Sequence, residues 1–185
     1  MPSPAAVRGE EARRRLLTAA AELIAERGWS AVSTRILADR AGVSPSVVHY
    51  HFPSVQAVLI EAAITAMQGV LDATSEVFAA ATSPADGVDA LLASIDEYSG
   101  TDPLSVMFTE ACLAATRDDE LRARIAALVT GFRARIADWL ALHQVPDPAA
   151  TAAVLAAAID GLLLHRGLGP VDAGTAAVLR RLVLS

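Results

Sequence analysis

The 185-residue chain contains no lysine, so all fifteen of its fixed positive side chains are guanidinium groups. It has a single cysteine, Cys112, which excludes an intrachain disulfide framework and a multi-cysteine metal site and fits a reducing, cytoplasmic setting. Aromatic residues make up only 4% of the chain, against 54% hydrophobic and 19% charged. With a net charge of only −6, that apolar fraction excludes global disorder. Patterns of catalytic chemistry are missing as well: there is no Gly-x-Ser-x-Gly elbow, no phosphate-binding glycine loop and no His-Glu-x-x-His pair. No enzymatic activity, cofactor or metal is therefore expected.

Long uncharged runs are scarce despite a mean hydropathy of +0.42. The longest, Ala41 to Ile60, is interrupted by His49, His51, Pro45, Pro53 and Gly42. The run from Pro148 to Ile159 is too short to cross a bilayer and reads as a buried helix. Met1-Pro2-Ser3-Pro4 lacks a basic stretch followed by an apolar core, so neither a secretory signal nor a membrane partner is expected.

Charge is unevenly divided. Residues 1–60 hold seven arginines against five acids, a net +2, whereas the remainder holds eight against sixteen, a net −8. A mildly basic front end on an acidic body permits local contact with nucleic acid and argues against a chain coated in it.

Periodicity is helical almost throughout, with no alternating run that needs a sheet. Leu16, Ala20, Leu23 and Ile24 line one face of a first helix, which Gly28 stops. Ser33 caps a short second helix ending at Gly42, and Ser44-Pro45 opens a brief third that Pro53 limits. A long segment from Ser54 to about Ala81 follows, then pieces near 85–98 and 103–116. An amphipathic helix opens at Asp118-Asp119-Glu120, acids suited to the positive dipole end. Two last helices, near 148–166 and 172–184, flank Gly167-Leu168-Gly169-Pro170. The expected fold class is all-α with about nine helices.

The second and third helices, joined at Gly42-Val43, form a helix-turn-helix. Ala38 is small where the helices approach, Gly42 supplies the turn, and Leu37, Val43 and Val48 fill the wedge. The outer side of the third helix is left with Pro45, Ser46, Val47, His49 and Tyr50, slim enough for a major groove. A simple buried helical hairpin is the duller reading, and Ser46, His49 and Tyr50 are odd choices for a buried face. His49 and His51 lie about 200° apart on a helix and cannot share a metal ion.

The run from Thr34 to Ser44, then Val47-Val48-His49-Tyr50-His51-Phe52-Pro53-Ser54, resembles the DNA-binding signature of TetR-family transcriptional regulators. The likeness covers about residues 11–60 and is specific at these offsets. It implies an N-terminal three-helix DNA-binding domain and a C-terminal helical domain for ligand binding and dimerisation. By position we expect a flexible arm over 1–10, the DNA-binding domain over 11–56, and the regulatory and dimerisation domain over 57–185. The resemblance further implies a cytoplasmic, nucleoid-associated homodimer on a palindromic double-stranded operator, usually a repressor relieved by a small molecule. Carried over by position, Arg35 faces the DNA backbone. Ser44, Pro45, Ser46, Val47, His49 and Tyr50 line the groove surface, and His51 sits near a phosphate. Tyr50 and His51 are positioners rather than readers of bases.

The C-terminal candidates are less specific. Met67, Leu71, Met107, Phe108, Phe132 and Trp139 suit a ligand cavity or equally a helical core, and Glu110 is the best polar group for gripping a ligand. Ala153, Ala157 and Gly161, with Leu162, Leu179 and Leu182, suit a four-helix dimer interface or an intrachain core. A purely architectural or protein-interaction C-terminal module without an inducer is the alternative reading.

The chain departs from the family pattern at Val55, where relatives usually have a phosphate-touching lysine, and at His49, where many have tyrosine. Each neutralised phosphate contributes about 0.9 to the logarithmic salt slope. Val55→Lys is therefore expected to steepen that slope by about 2 per dimer in binding titrations across salt; an unchanged slope rejects the assignment of this position.

Overall fold

The computed structural model describes residues 3–169 and 174–184. Every regular element among them is helical. α1 spans Pro4–Arg27 and is followed by a 3-10 turn at Trp29–Ala31; α2 spans Thr34–Ala41 and α3 Pro45–His51. α4 runs over Val55–Ala80, α5 over Pro84–Asp96 and α6 over Pro103–Ala115. α7 covers Asp119–Leu142, α8 Pro148–Leu168 and α9 Thr175–Leu184. The expected start of the last helix at 172 lies outside the described residues.

Local capping sets these boundaries. Ser33, Ser54 and Ser83 each accept a hydrogen bond from the backbone N–H three residues on, at 3.4, 3.1 and 3.2 Å. Asp102 and Asp118 do the same for Ser105 and Leu121 at 3.0 and 2.9 Å. Such caps contribute about 1 kcal/mol each. The expected flexible arm over residues 1–10 is helical from Pro4 onward. Ser3 Oγ accepts the Ala6 N–H at 3.2 Å, and proline at the first helical position sacrifices no needed donor.

The chain forms two compact units, one of residues 1–66 with 106–122, the other of 67–105 with 123–185. The expected boundary at 56/57 is displaced into α4, because Val58, Leu59, Ile60, Ala62 and Ala63 are all buried. In the first unit Leu16, Ala20, Leu23 and Ile24 of α1 are buried, as are Leu37 and Ala38 of α2 and Val48 of α3. The second has a core of Phe78, Leu91, Ile95, Phe132, Ile136, Leu140 and Leu155, joined by Leu179 and Val183 from α9. Each large side chain so buried contributes about 1.5–3 kcal/mol.

Polar ties complete the second unit. Arg166 of α8 donates to the carbonyls of Ile95 and Tyr98 at 2.6 and 3.1 Å and pairs with Asp96, closing the free C-terminal end of α5. Arg180 of α9 pairs with Asp89 of α5, and Arg135 of α7 reaches Ser75 of α4 at 2.9 Å.

Two helices, α4 and α8, are long and apolar enough to cross a bilayer, which the charge-free runs of the sequence did not reveal. α4 carries Glu61, Asp72 and Glu76 and supplies buried side chains from Val58 to Phe78. α8 keeps an apolar face open, with Val154, Leu164 and Leu168 exposed.

Gly100 has φ +79°, and a Cβ there would sit 2.7 Å from the Leu163 carbonyl oxygen and against the backbone nitrogen of Gly167. Backbone on both sides leaves nothing free to yield. Gly100→Ala should lower the unfolding free energy by about 2–4 kcal/mol, combining overpacking with positive-φ strain. Urea titration read by circular dichroism checks this, and an unchanged midpoint would contradict the close approach.

Candidate nucleic-acid interface

α2 ends at Gly42 in the left-handed conformation, φ +64° and ψ +39°, which a β-carbon disfavours. The Val43 N–H returns to the Ala38 carbonyl at 3.0 Å, so the chain turns tightly into α3. Ser44 opens α3 in extended conformation with Pro45 at its first position. Its hydroxyl lies 2.8 Å from that of Ser46 and caps no backbone N–H.

α3 is two turns long and faces two ways. Val48 is fully buried against the rest of the first unit. Ser44, Pro45, Ser46, His49 and Tyr50 are exposed, Tyr50 at 83%, and Val47 and His51 are half-buried. All seven residues expected on this surface therefore lie together on one short helix and its cap, five open and two at its edge. The Tyr50 and His51 rings meet edge to face, 5.0 Å between centroids. Arg35, near the start of α2, is exposed and makes no ion pair among the described residues.

Three other arginines of this unit, Arg40, Arg13 and Arg14, are spent on structure. Arg40 donates to Glu22 at 3.2 Å and to Glu26 at 2.8 Å, pinning α2 to α1. That hydrogen bonding holds the Glu26 carboxyl below its usual range and raises Arg40 further. Arg13 pairs with Glu61 at 3.1 Å and lies over the Phe52 ring, 5.2 Å from its centroid. Arg14 grips Glu11 through two hydrogen bonds.

A small helix-turn-helix with an exposed polar face, set by α1 and continued into a larger helical unit, has known counterparts. The family model for the N-terminal domain of bacterial regulatory proteins of the tetR family matches residues 16–62. A tetracycline repressor-like C-terminal domain model matches residues 82–185. The chain belongs to the TetR family. It is similar to the HTH-type transcriptional regulator BetI of Rhizobium meliloti (strain 1021), 33% identical over 84% of this chain and 78% of that one. Among solved structures, SCO7518 of Streptomyces coelicolor A3(2), described as a transcriptional regulator, is 31% identical with a TM-score of 0.78, covering 95% of this chain and 99% of that one. The multidrug binding protein EbrR, solved with imidazole, is 28% identical with a TM-score of 0.71, covering 92% and 89%. This chain is thus a DNA-binding transcriptional regulator of the TetR family.

The ligand-lining candidates are divided between the two units. Met67, Leu71, Phe132 and Trp139 belong to the second, where Trp139 meets Phe78 edge to face at 5.4 Å and lies tilted by 37° over His143 at 4.1 Å. Met107, Phe108 and Glu110 belong to the first. Glu110, expected from sequence to grip a ligand, has a structural partner through one carboxylate oxygen. It accepts the Trp29 N–H at 2.8 Å, satisfying a donor left free as α1 gives way to the 3-10 turn. Trp29 Nε1 donates to Gln56 at 3.2 Å, and Gln56 Nε2 donates to Asp118 at 2.9 Å. One chain of hydrogen bonds so joins α6, the 3-10 turn, α4 and the start of α7.

Sequence reasoning missed Arg133 and Asp160 in the second unit. Arg133 Nε is buried and has no hydrogen-bond partner among the described residues. Asp160 keeps solvent access yet is crowded by protein, which pushes its carboxyl above its usual range, the charge of Arg133 only partly opposing this. A charged residue inside the otherwise apolar run Ala149–Leu164 was the available signal.

Removing the Glu110 acceptor strands the Trp29 N–H, so Glu110→Ala should destabilise the first unit by about 1–3 kcal/mol, with Glu110→Gln losing less because an acceptor oxygen remains. Urea unfolding followed by Trp29 fluorescence in a Trp139→Phe background measures this. Asp118 is held below its ordinary 3.8 by the Leu121 N–H and by Gln56. A depressed folded value stabilises above the unfolded value and is lost as pH falls through the folded one. The stability gap between wild type and Asp118→Asn should therefore be full at neutral pH and close only under acid conditions below 3.8.

Proposed function

We propose that the chain acts in the cytoplasm as a homodimeric repressor that reads a palindromic operator through α3 and releases it when a small molecule occupies its second unit. The observation that carries this reading is the division of α3, with Val48 at zero exposure on one side and Ser46, His49 and Tyr50 open on the other. On this reading Val47 meets a thymine methyl, Ser46 bonds a base edge, and Tyr50 and His51 position the backbone. Arg35 supplies a phosphate contact from the start of α2.

Support for the homodimer comes from α8. Val154, Ala157, Gly161, Leu164 and Leu168 recur at alternating steps of three and four, one continuous helical stripe. Val154 and Leu164 are 51% exposed and Leu168 is 81% exposed, while a Cβ on Gly161 would meet nothing within 4 Å. Within their own chain these side chains bury little, and a second copy of α8 would cover them symmetrically. Of the face expected from sequence, Ala157 and Gly161 lie on this stripe and Ala153 is half-buried beside it. Leu162 packs on the intrachain core and Leu179 is buried in it, and the side chain of Leu182 lies outside the described residues. Val178, 45% exposed on α9, takes the place assigned to Leu179.

For the effector, Arg133 and Asp160 supply what Glu110 does not: an unpartnered donor and a carboxylate in a unit otherwise lined by Leu71, Phe132 and Trp139. A ligand that favours the DNA-incompetent spacing of the dimer shifts the equilibrium off the operator.

Selection of bound fragments from a random duplex pool tests the core of this reading. It should recover palindromes whose half-sites lie about 10 base pairs apart, one helical turn; no enrichment would end the proposal. Leu164→Glu should convert the protein to a folded monomer in sedimentation and weaken operator binding, whereas an unchanged dimer would remove α8 from the interface. A reporter behind the recovered duplex should rise when the protein is absent, and a fall would make it an activator.

A further inference from the structure

α1 touches both ends of the helix-turn-helix reading element. A Cβ on Gly9 would lie 3.7 Å from Cε1 of His51, at the end of α3. Two turns further along α1, Nη1 of Arg15 lies 3.7 Å from where a Cβ on Gly42 would sit, at the turn leading into α3. Arg8 precedes Gly9 and is seven residues from Arg15, so both project from one face of the helix about 10 Å apart. Both are exposed.

Of the five arginines of α1, Arg8, Arg15 and Arg27 make no ion pair among the described residues, and Arg27 stands in the last turn, about three turns beyond Arg15. Arg13 is bound to Glu61, and Arg14 holds Glu11 by two hydrogen bonds. Glu11, which shares the broad face of Arg8 and Arg15, has its charge met chiefly by Arg14, with Arg15 a lesser influence. Glu10 projects from the opposite side, two residues and about 200° from Arg8. Among the described residues Arg8 and Arg15 make no ion pair. They are unspent cations flanking the helix-turn-helix.

We propose that α1 forms a second line of DNA contact, in which Arg8 and Arg15 each hold an operator phosphate at opposite ends of the α3 reading surface. The proposal rests on the operator reading above and adds two residues that the helix-turn-helix signature does not assign. Phosphate contacts of this kind anchor register without reading sequence, so they act equally on every duplex.

The test uses full-length protein and two probes: a 30-base-pair duplex recovered by selection with the wild type, and a scrambled duplex of the same composition. Arg8→Gln and Arg15→Gln should each weaken both probes by the same factor and flatten the logarithmic salt slope by about 2 per dimer. Arg8→Lys and Arg15→Lys should keep the slope, and Arg122→Gln, which removes the same charge from α7, should leave it unchanged. Circular dichroism of each variant separates lost contact from lost fold, with the lysine variants deciding if a glutamine variant unfolds. Unchanged slopes in both glutamine variants, or an equal change in Arg122→Gln, overturn the proposal while leaving the operator reading intact. Failure of the wild type to select any duplex overturns the operator reading itself.

Discussion

A helix of seven residues cannot hold itself. Nucleation is unfavourable and two turns repay little of it, so an isolated α3 would be largely unfolded in water. Its existence as a helix, and the direction of its outer face, depend on Val48 being clamped by the rest of the first unit. Gly42 sets where the chain re-enters, and Leu37 and Ala38 set how near α2 can come. The Arg40 clip to Glu22 and Glu26 then holds α2 on α1. The reading surface is thus a consequence of packing behind it, and its own exposed residues contribute almost nothing to its shape.

Charge in the first unit is economised in the same way. With no lysine, every fixed cation can make the planar, forked contacts of a guanidinium. Four of these forks are turned to carboxylates, Arg13 and Arg40 across to another helix and Arg14 and Arg122 within their own, where they contribute modestly as partly exposed pairs. Among the arginines that make no ion pair, Arg8, Arg15 and Arg35 lie on or beside the helix-turn-helix. Local positive potential therefore arises on a protein whose overall charge is negative, which suits recognition of one site over indiscriminate binding.

The hydrogen-bonded chain from Glu110 through Trp29 and Gln56 to Asp118 makes the first unit larger than three helices. It builds the second part of α6 and the first turn of α7 into the same unit as α1 to α3. Three helices consequently cross the boundary between units.

Much of this architecture was legible in the residues because its causes are local. Serine and aspartate caps, prolines at first helical positions and a left-handed glycine act within four residues, so the helix ends and the helix-turn-helix followed directly from Ser33, Gly42, Ser44 and Pro45. Helical periodicity likewise identified which faces are apolar. What those faces meet was decided only in three dimensions. Leu179 and Val178 are neighbours of equal hydrophobicity, yet one is buried in its own subunit and the other exposed. Glu110 looked like a free charge in an apolar helix until its partner emerged 81 residues away. A domain boundary inside the unbroken α4 leaves no punctuation to read. Short-range hydrogen bonds are written in neighbouring residues; the destination of a side chain depends on which distant segments the folded chain brings beside it.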